Sequence, residues 1–233
     1  MTAVRRLLHS AILLALGSAA WADDPLPDDC TQHLTVQTRD CSVDHHYTCA
    51  SAPGDHFLIV YGDSGRAFYA HNNAETQWIS SQSLPDGARH STIMPPSDPV
   101  SISTLLSDGY DSYIFDQQID AENVVRYEGF DRLTGETTEI DGETLLRTSF
   151  RYRVTLPRTG ALLRVVQGQQ YVSETHRVFF GGVDTYQSTE GEVSVDSTPV
   201  EFFYPGEAGF LSTTPMFGCT GMMSALQLPE DHA

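Results

Sequence analysis

The run 143–156 constrains the fold most, because its apolar and polar residues alternate. Leu146, Phe150, Tyr152, Val154 and Leu156 share one parity, while Arg147, Ser149, Arg151, Arg153 and Thr155 share the other. A period of two is the side-chain repeat of a β-strand and of no helix. At ~3.3 Å per residue the run would extend roughly 45 Å. A strand that long calls for a bent path in a strongly curved sheet.

The surrounding sequence repeats this pattern, with turn residues at close intervals. Residues 57–61 and 66–69 flank Gly62-Asp63-Ser64-Gly65 and predict a hairpin, and a further strand is expected at 76–80 around Trp78. Beyond residue 124, strands are expected at 124–133, 136–140, 161–167, 169–180, 183–188 and 200–204, with another around Val193 and Val195. The intervening turns fall at Thr134-Gly135, Asp141-Gly142, 157–160, Gly168, Gly181-Gly182 and Glu190-Gly191, of which Asp-Gly is the strongest hairpin signal. One short helix is predicted near 98–107, where Ser97, Asp98 and Pro99 offer a cap and a first-turn proline. Ile102, Leu105 and Leu106 would form its apolar face, and Asp108-Gly109 would end it. Residues 205–221 are rich in Gly and Pro and read as irregular. The fold class is therefore all-β, mainly an antiparallel meander of roughly nine or ten strands, with a curved sheet, a barrel and a sandwich all open.

The N-terminus has the layout of a Sec-type secretory signal peptide. Arg5 and Arg6 precede an apolar stretch from Ala11 to Ala20, and Ala20-Trp21-Ala22 reads as a small-x-small cleavage site. The apolar run is about half the ~20 residues that a spanning helix needs, so cleavage after Ala22 is expected. Residues 23–233 then form one periplasmic or secreted, disulfide-stapled β domain. Its four cysteines are Cys30, Cys41, Cys49 and Cys219. In an exported chain an even number predicts two disulfides, with three possible pairings. Each pairing ties Cys219 to the N-terminal segment and so brings the two ends together.

There is no lysine, and after residue 22 the chain holds 11 arginines against 31 acidic residues, a net charge of −20. Such a surface repels phosphate backbones, which excludes nucleic acid as a partner. No further segment approaches membrane-spanning length. Arg147, Arg151 and Arg153 on one strand face are the main positive feature and a candidate anion-binding or partner face. Pairing with Glu128, Asp131, Glu136 and Glu139 across neighbouring strands is the competing reading.

Gly62-Asp63-Ser64-Gly65 resembles the nucleophile segment of chymotrypsin-like proteases and of GDS-type esterases, which implies a serine hydrolase using Ser64. The likeness covers four residues. The proteases place His and Asp well upstream, whereas only about 40 residues lie between Ala22 and Ser64. The esterases are α/β proteins completed by a late Asp-x-x-His pair, and here the sequence reads Pro229-Glu230-Asp231-His232. A hairpin turn accounts for these four residues without chemistry.

The segment 41–49 contains Cys41, Asp44, His45, His46 and Cys49, types that ligate zinc. Adjacent histidines in a strand face opposite ways, however, and export favours disulfides, so no metal and no cofactor is expected. Carboxylate pairs such as Asp108 with Asp111 and Glu201 with Glu207 follow from the abundance of acids. The functional expectation is an exported, non-enzymatic β protein that binds a hydrophobic ligand or an envelope partner. Strand 143–156 and Phe179, Phe180, Phe202 and Phe203 would supply the apolar face. The alternative is a serine hydrolase using Ser64.

Overall fold

The computed structural model describes residues 26–85, 87–120 and 122–219. The expected signal peptide at 1–22 lies outside the described residues.

Thirteen strands form a single antiparallel sheet. They are β1 (Cys30–Thr38), β2 (Val43–Cys49), β3 (Ala52–Gly62), β4 (Gly65–Asn72), β5 (Trp78–Ser83), β6 (Arg89–Thr92), β7 (Tyr110–Gln118), β8 (Val124–Ile140), β9 (Glu143–Thr155), β10 (Leu162–Ser173), β11 (Val178–Ser188), β12 (Gly191–Asp196) and β13 (Pro199–Phe203). The helix α1 (Ile102–Asp108) precedes β7. From β1 to β12 each strand pairs with its neighbour in sequence, and β13 returns to lie beside β1. This is an up-and-down order, neither a sandwich nor a closed barrel.

The two outermost strands, β12 and β13, are consecutive in sequence and separated only by Ser197 and Thr198. Ser197 N–H donates to Gly182 O at 2.8 Å on one side, and Arg39 N–H donates to Thr198 O at 3.1 Å on the other. The sheet thus curls until its ends meet at a corner, without a ladder to seal them.

Strand β9 carries the alternation predicted for 143–156 and pairs along its length with β8 and β10. Glycine is where sequence and structure part. Thr134-Gly135 is not a turn: β8 runs straight through, and its register against β9 slips between Leu133 and Thr137, with Gly135 at φ 82°. Gly168 and Gly181-Gly182 are also mid-strand, within β10 and β11. A Cβ at Gly168 would stand 2.3 Å from Val183 O, and one at Gly182 would stand 2.0 Å from Gln169 O. These glycines let two backbones bend together where any side chain would clash. The β10–β11 turn lies instead at 174–177, with Arg177 at φ 52°.

Strands β1, β2, β6 and β7 were not legible as alternation. The helix starts four residues later than predicted, because Asp98 is held in a bridge to Ile114. Ser101 is its N-cap, accepting from Thr104 N, and Gly109 is its left-handed C-cap at φ 76°.

The hairpin ends of β8 to β11 are covered on both sides. Leu146 and Val172 pack on Ile102 and Leu105 of α1, while Leu145, Val178 and Phe180 pack on Leu34, Val36 and Phe202. The disulfides are Cys30–Cys49 and Cys41–Cys219, the second spanning 178 residues. The described irregular residues 205–219, which include Cys219, cross β1 and β2 on the face opposite Leu34 and His46. Buried Gln37 clamps it, donating from Nε2 to Thr214 O at 3.1 Å and accepting from Met216 N at 3.0 Å. His45 Nε2–H donates to Ser212 O at 2.7 Å.

Candidate functional site

Curling places one face of the sheet inside, and there a cavity of about 320 Å³ remains. That lies at the lower end of the size range of small-molecule pockets. The parity of β9 decides what faces it. Phe150 and Tyr152 line the cavity, while Arg147, Arg151 and Arg153 point to the outer face. Two glycines on the inner parity, Gly129 opposite Tyr152 and Gly168 opposite Phe150, leave the wall without side chains at those points.

Much of the lining is aromatic. Trp78 from β5 meets Phe115, Tyr127 and Tyr152 edge-on, at centroid separations of 5.5, 5.3 and 5.9 Å. Phe115 and Tyr127 stack at 5.1 Å. This cluster is both core and lining: Phe115 and Val154 are fully packed, whereas Trp78, Tyr113 and Tyr152 reach the cavity.

Two carboxyls lie among these aromatics, on strands that pair with β9 or with its neighbour β10. Asp131 of β8 is 5% exposed, and its Oδ1 accepts from Gln170 Nε2 at 2.9 Å. Burial, reinforced by the charge of Asp111 and opposed by the Gln170 bond, pushes its pKa up to about 7. Asp184 of β11 sits opposite Gly168, and its Oδ1 is buried without a hydrogen-bond partner. Burial, then the charge of Asp40, pushes it up to about 7 as well. Beside it the Tyr186 phenol is held at about 12, by burial first and then by the charge of Asp184. Burial thus holds both carboxyls well above the ordinary carboxylate range, which favours the protonated form that can donate as well as accept.

The cavity also receives His46 and His56 from β2 and β3. Burial, followed by the charges of His33, His176, His56 and His45, lowers His46 to about 3. Burial likewise lowers His56, against the raising effect of Asp55. The adjacent His45 and His46 face opposite ways, His45 to Ser212 and His46 to Phe180 at 5.5 Å.

The residues singled out from sequence fall in several places. In the arginine row, Arg147 pairs with Glu136 at 2.9 Å and Arg153 with Glu128 at 2.7 Å, whereas Arg151 has no ion pair among the described residues. Asp131, named as a possible partner of that row, points the other way, into the cavity. Glu139 lies opposite Thr144. Ser64 is exposed in the two-residue turn Asp63-Ser64, closed by the Gly62–Gly65 pair, and no imidazole hydrogen-bonds to it among the described residues. Of the expected apolar face, Phe150, Tyr152 and Phe179 line the cavity, but Phe180 and Phe202 pack on each other at 5.2 Å in the core. Two groups of three potential metal-ligand atoms lie within 4.8 Å of one another among the described residues, Asp29–Cys30–Cys49 and Cys41–Asp63–Cys219. In both, the sulfurs are consumed by disulfides.

Asp131, Asp184, Gln170 and Trp78 were not identified as site residues from sequence. Asp131 carried a faint signal, since it shares parity with Tyr127 and Gly129 on a strand whose inner face is otherwise apolar. Comparison of the chain with protein-family models, curated proteins and solved structures gives no match.

Proposed function

We propose that this chain is an exported binding protein that holds a small amphipathic ligand inside its curled sheet. The ligand has a cationic or hydrogen-bond-donating group and a flat apolar body. The observation that carries the reading is the pair of carboxyls, Asp131 and Asp184, set into a cavity that Trp78 and Tyr152 also line. A purely hydrophobic ligand would leave the buried Asp184 Oδ1 without a partner, at ~1–3 kcal/mol for an unmatched polar group. A cation would draw both acids to their ionised form, and Trp and Tyr faces also attract cations. The net charge of −20 steers cationic molecules toward the chain. Two disulfides fit an oxidising compartment outside the cytoplasm, and the signal-like residues 1–22 supply the route to the periplasm or the exterior.

Trp78 is the only tryptophan after residue 22, so its fluorescence reports on the cavity directly. Small molecules released from protein purified from its native host are identified by mass spectrometry and titrated back while Trp78 emission is followed. Asp184→Asn is expected to weaken a cationic ligand roughly tenfold or more, the worth of a hydrogen bond to a charged group. If no molecule that co-purifies changes Trp78 emission, or if Asp184→Asn binds it unchanged, the reading fails.

A further inference from the structure

We propose that His33, His46 and His56, completed by His176, bind one divalent transition-metal ion of the zinc type. The inference stands on these histidines and is independent of the organic ligand proposed above. The four rings come from β1, β2, β3 and the turn between β10 and β11.

Local structure explains how they meet. Gln32 pairs with Tyr47 and Leu34 with His46, so His33 is the extra residue of a β-bulge. A bulge re-aims a side chain, and here it brings His33 to the side of His46. His46 pairs with Leu58, and His56 lies two residues before Leu58 on the same face. Ring centroids are 6.4 Å apart for His33 and His46, and 6.3 Å for His33 and His176.

Three nitrogens at this place lack partners. His33 Nδ1, His46 Nε2 and His56 Nδ1 are buried and make no hydrogen bond, and His46 as a whole is 6% exposed. A buried polar atom without a partner costs ~1–3 kcal/mol, and three from neighbouring strands are explained together if one ion satisfies them all. The fourth ring is already oriented. His176 Nε2 shares a hydrogen bond with the Tyr204 hydroxyl at 3.0 Å and lies 3.7 Å from Glu143 Oε2, while that hydroxyl also donates to Glu143. A carboxylate behind an imidazole is the usual support of a metal-ligating histidine, and it leaves Nδ1 to face the ion.

An all-imidazole set suits Zn²⁺, Cu²⁺ or Ni²⁺, not Ca²⁺ or Mg²⁺, which take oxygen ligands. Metal–nitrogen bonds of ~2.0–2.1 Å place two rings on one tetrahedral ion with centroids roughly 5–6 Å apart. His33 stands from His46 and His176 roughly 1 Å wider than that, and no three of the four imidazoles bring nitrogens within 4.8 Å of one another, so binding requires the rings to converge by side-chain rotation.

The test uses the whole chain after residue 22, stripped with chelator and titrated with Co²⁺ and then Zn²⁺. The expected result is one equivalent of Co²⁺ at micromolar affinity or better, with the visible absorption of a nitrogen-rich four-coordinate site, bleached by Zn²⁺. His56→Gln should lower the affinity at least tenfold, and His90→Gln should leave it unchanged. Glu143→Gln keeps all four rings and should weaken binding by roughly 10–100-fold, which also decides the matter if His56→Gln fails to fold. Absence of a saturable Co²⁺ spectrum in the unmutated chain, or equal affinity in the folded His56→Gln or Glu143→Gln variant, overturns the proposal.

Discussion

Replacing Asp131 with asparagine isolates the free energy of a buried carboxyl. Asparagine keeps an oxygen to accept the 2.9 Å bond from Gln170 and nearly the same volume, but it cannot ionise. In the folded chain Asp131 has its pKa raised from 3.8 to about 7, chiefly by burial. A group with a raised folded pKa binds protons more tightly when folded. Its stabilising effect is complete below the unfolded value near 4 and is lost as pH rises through about 7. Roughly three units at 1.36 kcal/mol each give ~4 kcal/mol as an upper figure, and access of water to the cavity reduces it to ~2–4 kcal/mol. The unmutated chain does not show this slope alone, because His46 and His56 have depressed values and contribute in the opposite sense. The difference between variant and parent removes the histidines. Urea denaturation at pH 4.5, 6, 7 and 8 should give a variant close to its parent at the lowest pH. Its advantage should grow with pH and level off by pH 8 at ~2–4 kcal/mol. A difference that is independent of pH, or a variant less stable at pH 8, refutes the assignment of Asp131 as a carboxyl buried with a raised pKa.

Other perturbations follow from the fold. Gly168→Ala puts a Cβ against Val183 O and the Asp184 side chain, so it should cost ~1–3 kcal/mol and lower the melting temperature, whereas an unchanged melt would mean that β10 and β11 separate there easily. Removing the Cys41–Cys219 bridge opens a loop of 178 residues against 19 for Cys30–Cys49. Chain entropy assigns ~5 and ~3 kcal/mol to the two closures, so the double serine variant at 41 and 219 should be the less stable in urea; the reverse order would contradict the clamp of 205–219 on Gln37. Ser101→Ala removes the cap that Thr104 N uses and should cost ~1 kcal/mol, visible as faster amide exchange in 102–105.

The all-β class was legible because period-two alternation needs only local geometry. The parity of 143–156 was read correctly, and it did assign Phe150 and Tyr152 to one face and the arginines to the other. What that face encloses was not legible. Whether Phe150 lines a cavity or fills a core depends on how far the sheet curls, and curl depends on backbones closing at Gly129, Gly168 and Gly182. Those same glycines misled the reading of turns, since a glycine that permits a bend and one that permits close approach look identical in sequence. Segments β1 and β2 were missed because His, Asp, Gln and Thr hide the alternation. Inward His46 and outward Thr35, Gln37 and His45 are all buried, the outward three under a segment some 175 residues downstream.

The sequence by itself determined the strand class, the hairpin at Asp141-Gly142, the tie of Cys219 to the N-terminal segment and the acidic composition, because each follows from local geometry, a short spacing or a count. Tertiary structure decided that Cys41 is the partner of Cys219, that Asp131 and Asp184 share one cavity with Trp78, and that His33, separated by 143 positions from His176, lies near both it and His46. Those are contacts between distant residues, and they exist only because thirteen strands curl until the corner at Ser197 and Thr198 brings the last beside the first.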